Sequence, residues 1–187
     1  MPLALILVAI ALAAASGFPG LYLSRRSVWG QRIAAGLTCS GAILGLAGVA
    51  LAFGMDSASD LIFPWPSMGS SVVGVDGLSA FFLVPIFLMG GLGSLYGIGY
   101  WPQRRHCRNG RKLSLFWGLA LAGMALLVIS KNALAFLLGW EVMALSAFFL
   151  VTTEEHLQES RRAGWIYLVA THLCTLTLFA LFSLWRW

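Results

Sequence analysis

Long apolar runs alternate with short polar segments along the whole chain. Six runs stand out, at about 3–23, 33–53, 78–101, 113–130, 133–152 and 163–185. A stretch of roughly 18 or more apolar residues with few charges reads as a membrane-crossing helix. The pattern therefore predicts an all-α integral membrane protein with six transmembrane helices in a single membrane domain over 1–187. Pro19 and Pro85 fall inside runs and predict kinks, which membrane helices tolerate better than soluble ones do. The first run has no basic segment before it and is followed by Arg25 and Arg26. That order fits a retained first span better than a cleaved signal peptide.

The polar segments fix an expected orientation. The loops at 24–32, 102–112 and 153–162 hold Arg25, Arg26, Arg32, Arg104, Arg105, Arg108, Arg111, Lys112, Arg161 and Arg162. The other side has only Lys131 and Arg186, so ten of the 12 basic residues share one side. The positive-inside rule then predicts cytoplasmic odd-numbered loops and periplasmic N- and C-termini. The one long loop, GMDSASDLIFPWPSMGSSVVGVDG, carries Asp56, Asp60 and Asp76 and no Lys or Arg. Its S-S-V-V-G-V run is compatible with a short hairpin or with an irregular surface loop. Trp29, Trp101, Trp117, Trp165, Trp185 and Trp187 lie near span ends, where indole rings suit the interface. Gly41-x-x-x-Gly45 and Gly93-x-x-x-Gly97 predict close helix contacts.

Composition strengthens this picture. The chain is 59% hydrophobic and 10% charged, against about 25% charged in a soluble domain. The net charge of +5 is explained by topology and gives no reason to expect nucleic acid. Cys39, Cys107 and Cys174 are widely spaced and form no ligand pattern with His106, His156 or His172, so neither a metal site nor a disulfide framework is expected.

Candidate chemistry lies within the membrane. Glu141 sits in N132-ALAFLLGWEVMALSAFFLVTT-153, about 13.5 Å along a helix starting at Asn132. That is near the middle of a hydrocarbon core about 30 Å thick. An ionisable group there costs on the order of 2.5–3.5 kcal/mol on insertion scales, and such groups usually mark ion or proton paths. His172 falls at similar depth on the next span. Antiparallel neighbours would give a Glu–His pair capable of relaying protons, with Thr171 and Thr175 offering hydroxyls around His172. The plainer readings are a protonated Glu141 that hydrogen-bonds another helix and a histidine satisfied by packing. The nucleophile motif of rhomboid-type intramembrane proteases, G-x-S-G, is absent, because Leu92 stands where it requires glycine before Gly93-Ser94. No catalytic residues are assigned.

D76-GLSAFFLVPIF, the turn S130-K-N132 and F136-LLGWEVMALSAFFL-150 resemble the antiporter-like, proton-translocating subunits of complex I and of membrane-bound hydrogenases. Within that family the likeness is to the antiporter-like members found in hydrogenase-4 and formate hydrogenlyase, and A163-GWIYLVATHLCTLTLFALF-182 resembles the sixth span of the hydrogenase-4 member. The resemblance covers nearly the whole chain. It implies that Glu141 corresponds to a fifth-helix glutamate that pairs with a lysine on a broken seventh helix and gates proton movement. It implies an N-terminus outside, in agreement with the basic-residue count. Family members have about fourteen helices with two inverted five-helix repeats. This sequence resembles the first six, without the lysine helix or the second repeat, and Lys131 lies roughly 15 Å from Glu141 along the helix axis.

The expectation is the N-terminal part of an antiporter-like subunit in the bacterial inner membrane, contributing to proton translocation through Glu141 and, secondarily, His172. Its partners would be other membrane subunits and the bilayer. It would be at most a non-redox subunit of an oxidoreductase complex, without a cofactor of its own. On this expectation it is a truncated or split product or a fragment, and not a complete transporter alone. The alternative is a structural or assembly subunit in which Glu141 only joins helices.

Overall fold

The structure, a computed structural model, describes residues 1–24, 27–54, 60–65 and 69–185. Arg25, Arg26, Asp56, Arg186 and Trp187, which entered the reading of sidedness and interface, lie outside the described residues. The elements are α1 (Pro2–Ala15), α2 (Phe18–Tyr22), α3 (Trp29–Phe53), β1 (Asp60–Trp65), β2 (Gly69–Gly74), α4 (Gly77–Tyr100), α5 (Gly110–Ile129), α6 (Ala133–Val151) and α7 (Gln158–Trp185). Among the described residues, six segments are long and apolar enough to cross a membrane, with α1 and α2 together forming the first, Pro2–Tyr22. The chain is a predominantly helical, multi-pass membrane protein.

The two prolines act differently. The first span breaks between α1 and α2, where Pro19 occupies the opening turn of α2. Its missing N–H costs no helical bond there. Gly17 lies at the break, so close to the Leu115 backbone of α5 that a Cβ would overlap it. The interruption is thus set by packing as well as by proline. The α2 carbonyls freed at its end face Arg111, whose Nη1 lies 3.3 Å from Gly20 O and 3.0 Å from both Leu21 O and Leu23 O. By contrast, α4 runs unbroken through Pro85.

α1, α3, α4 and α5 surround the main core, built from Leu3, Ile6, Ala42, Val49, Leu83, Phe87 and Ile129 among others. α6 packs on α5, and α7 packs on α6 at the outside of the bundle. α5 and α6 approach closely through glycines on both helices. A Cβ on Gly123 would meet Met143 N at 2.7 Å, and one on Gly139 would meet Leu127 N at 2.9 Å. Of the predicted glycine pairs, Gly41 faces Ala9 O, Gly45 faces the Phe87 ring and Gly93 faces the Trp117 ring. Gly97 makes no close helix contact: a Cβ there would meet nothing within 4 Å. Its carbonyl instead accepts from Gln31 Nε2 at 3.0 Å, alongside Trp101 O at 2.9 Å.

The long loop does contain a hairpin, but S-S-V-V-G supplies only one arm. β2 pairs antiparallel with β1 in a register that sets Asp60 opposite Gly74 and Ile62 opposite Val72. The hairpin is tied to the α5–α6 turn. Lys131 N donates to Val72 O at 2.9 Å, the Lys131 ammonium pairs with the Asp60 carboxylate, and Asn132 Oδ1 accepts from Val72 N at 3.3 Å. Asn132 also caps α6, accepting from Ala135 N at 3.2 Å. Beside it, Asp76 caps α4 by accepting from Ser79 N at 2.7 Å. That backbone bond, helped by the Ser79 hydroxyl, holds the Asp76 carboxyl below its usual pKa.

The described basic residues of the odd-numbered loops gather at one end of the bundle, where Gln31 meets the end of α4 and Lys112 meets Glu155. Lys131 and the hairpin occupy the other end.

Candidate functional site

Glu141 and His172 meet between α6 and α7. Glu141 is on the α6 face turned toward α7, and its Oε1 lies 3.6 Å from His172 Nε2. That separation is just beyond a direct hydrogen bond. The two side chains, His172 and Glu141, are 48% and 35% exposed on the outer surface of the bundle. The carboxylate is therefore held by α7 on one side and open on the other.

Local bonds set the state of the ring. His172 Nδ1 lies 3.0 Å from Leu168 O. A carbonyl can only accept, so Nδ1 carries the proton in this arrangement. In neutral imidazole the other nitrogen, Nε2, is then an acceptor, and it points at the Glu141 carboxyl. The pair has two balanced states: a protonated carboxyl beside a neutral ring, and a carboxylate beside an imidazolium. One proton moved between Oε1 and Nε2 interconverts them. Neither state leaves the pair with a net charge.

Thr175 is the third member. It is buried, and its hydroxyl lies 3.3 Å from Glu141 Oε2 and 3.0 Å from Thr171 O. Trp140 Nε1 donates to the same hydroxyl oxygen at 3.1 Å. With one proton to give, the Thr175 hydroxyl can turn toward an ionised Glu141, or toward Thr171 O while accepting from a protonated Glu141. The expectation that Thr171 and Thr175 surround His172 is thus corrected. Thr175 serves Glu141, and the Thr171 hydroxyl bonds back to Tyr167 O and Leu168 O, at 2.9 and 3.1 Å. Trp140, the residue before Glu141 in α6, anchors the site through this bond. The signal for its role was the helical spacing of Thr175 and His172, three apart on one face of α7.

Lys131 plays no part here, since it is engaged with Asp60 at the hairpin end. Among the described residues no group of three or more His, Cys, Asp or Glu side chains is placed to hold a metal ion.

No family model matches the chain. Over 98 residues, 52% of this chain, it is 31% identical to hydrogenase-4 component B of Escherichia coli (strain K12). The matched stretch is 14% of that protein's length. The similarity agrees with the hydrogenase branch of the resemblance seen in the sequence.

Proposed function

We propose that this chain is part of an antiporter-like subunit of a membrane-bound hydrogenase or complex I-like complex, and that it contributes to proton translocation through Glu141. The observation that carries the reading is the Glu141 carboxyl facing the acceptor nitrogen of His172 across 3.6 Å at mid-span. An ionisable pair at that depth is costly, and a pair that can exchange one proton without creating a net charge reduces the cost of both states. The similarity to a hydrogenase component supports the class of complex. On this reading the partners are further membrane subunits that cover the open side of Glu141, and the location is the bacterial inner membrane with both ends of the chain periplasmic. On this reading the redox chemistry belongs to other subunits.

A second reading, a structural or assembly subunit, is favoured by the bonds from Thr175 to Glu141 and from Trp140 to Thr175, which join α6 to α7 whatever else the carboxyl does. Glu141→Gln separates the two, because it keeps size and hydrogen bonding while removing the exchangeable proton. In vesicles carrying the assembled complex, with the amount of each subunit checked by blot, Glu141→Gln should assemble normally and lose most proton pumping, and Glu141→Asp should be milder. Wild-type pumping by Glu141→Gln would make the glutamate structural.

A further inference from the structure

A second site lies away from Glu141, at the basic end, where α5, α6 and α7 enclose a groove of about 380 Å³. Its rim carries Lys112 and Arg161, and its floor is Phe148, Phe149, Trp165 and Leu168. Lys112 stands in the first turn of α5 and Arg161 in the first turn of α7, so both cations sit at one level. From Arg161 to Leu168 the groove descends about 10 Å along the helix into the apolar zone. Phe149 is held by stacking on Phe116, at 4.2 Å between ring centres, while Trp165 stands 67% exposed. Of the two cations, Lys112 is paired with Glu155 at 3.3 Å, and both members of that pair are more than half exposed. Such a pair is weak and yields readily to a stronger anion.

We infer that this groove binds one anionic phospholipid, its phosphate between Lys112 and Arg161 and an acyl chain along the aromatic floor. Charge complementarity selects the headgroup, and the apolar descent below it selects a lipid over a free anion. Basic pockets between transmembrane helices bind acidic headgroups in this way. The inference is independent of proton transfer at Glu141. Glu155 acts as a competitor, since it occupies Lys112 when no lipid is bound and repels the phosphate when one is.

The test is lipid retention by the protein purified in zwitterionic detergent, measured by native mass spectrometry against added phosphatidylglycerol, phosphatidylcholine or inorganic phosphate. Phosphatidylglycerol should be retained over phosphatidylcholine, and inorganic phosphate should not displace it. Lys112→Gln with Arg161→Gln should weaken retention about thirtyfold, since two basic groups near an acidic headgroup each contribute on the order of one kcal/mol. Arg104→Gln with Arg105→Gln removes the same charge from the same end and should leave retention unchanged. Glu155→Gln should strengthen it. Equal losses in the two double variants, or displacement by inorganic phosphate, would overturn the inference. If the Lys112/Arg161 variant misfolds, Glu155→Gln still decides: weaker or unchanged retention contradicts the site.

Discussion

Glu141 is held by neighbours that can accommodate either of its protonation states. The Leu168 carbonyl fixes the His172 tautomer, and that fixes which atom faces the carboxyl. Thr175 can donate to Glu141 or accept from it, because Trp140 and Thr171 satisfy the remaining valences of its hydroxyl. Thr175→Val keeps the shape and removes this adaptor. Interhelical hydrogen bonds in membrane proteins are worth about 0.6 kcal/mol on average and up to about 1.7. Thr175→Val should therefore lower the unfolding free energy in detergent by roughly that range, read from a denaturant midpoint. It should slow pumping less than Glu141→Gln does. A variant that pumps as poorly as Glu141→Gln would show that the hydroxyl is itself part of the proton path.

At the scale of elements, α6 is positioned by backbone contact more than by large side chains. Gly123 and Gly139 bring α5 and α6 together so closely that a Cβ at either would meet main-chain nitrogen, which cannot move aside. Gly139→Leu should cost more than the roughly 1–3 kcal/mol of ordinary overpacking and should displace Glu141, two residues on. Leu138→Ala, at a half-exposed neighbour, should change stability by about 0.5 kcal/mol or less. Thermal midpoints and expression level check both. The sequence pointed instead to Gly93 and Gly97 because they share one helix at the familiar spacing. Gly93 does face Trp117, but Gly97 opens onto empty space. A glycine contact shared between two helices has no spacing along one chain to reveal it. The six spans were legible because hydropathy alone sets them. The β1 arm, DLIFPW, was not, since it lacks alternation and contains proline, and its partner choice depends on the α5–α6 turn to which the hairpin is tied. The depth of Glu141 and His172 was legible from counting residues, whereas the service of Thr175 to Glu141 required the rotation of α7 about its axis.

For the whole molecule, the collection of basic loops at one end motivates the proposed orientation, with that end cytoplasmic. Cys107 provides a native reporter, since it lies in the 102–112 loop while Cys39 and Cys174 lie in α3 and α7. With Cys39→Ala and Cys174→Ala, a membrane-impermeant maleimide should fail to label Cys107 in intact spheroplasts and should label it after permeabilisation. Labelling from outside would reverse the orientation. The arrangement of spans also explains why the candidate site is on the surface. α7 packs on α6 at the edge of the bundle, so the Glu141–His172 pair faces the side on which the proposed partner subunits or helices would lie.

Proton transport through Glu141 requires its carboxyl to give up and regain a proton beside His172. Infrared difference spectroscopy of the assembled complex in lipid, recorded during substrate-driven turnover, follows that carboxyl. A protonated-carboxyl difference band should accompany turnover, vanish in Glu141→Gln and change in His172→Ala. A band that persists in Glu141→Gln, or a Glu141 carboxyl that stays silent during turnover, would remove the glutamate from the proton path.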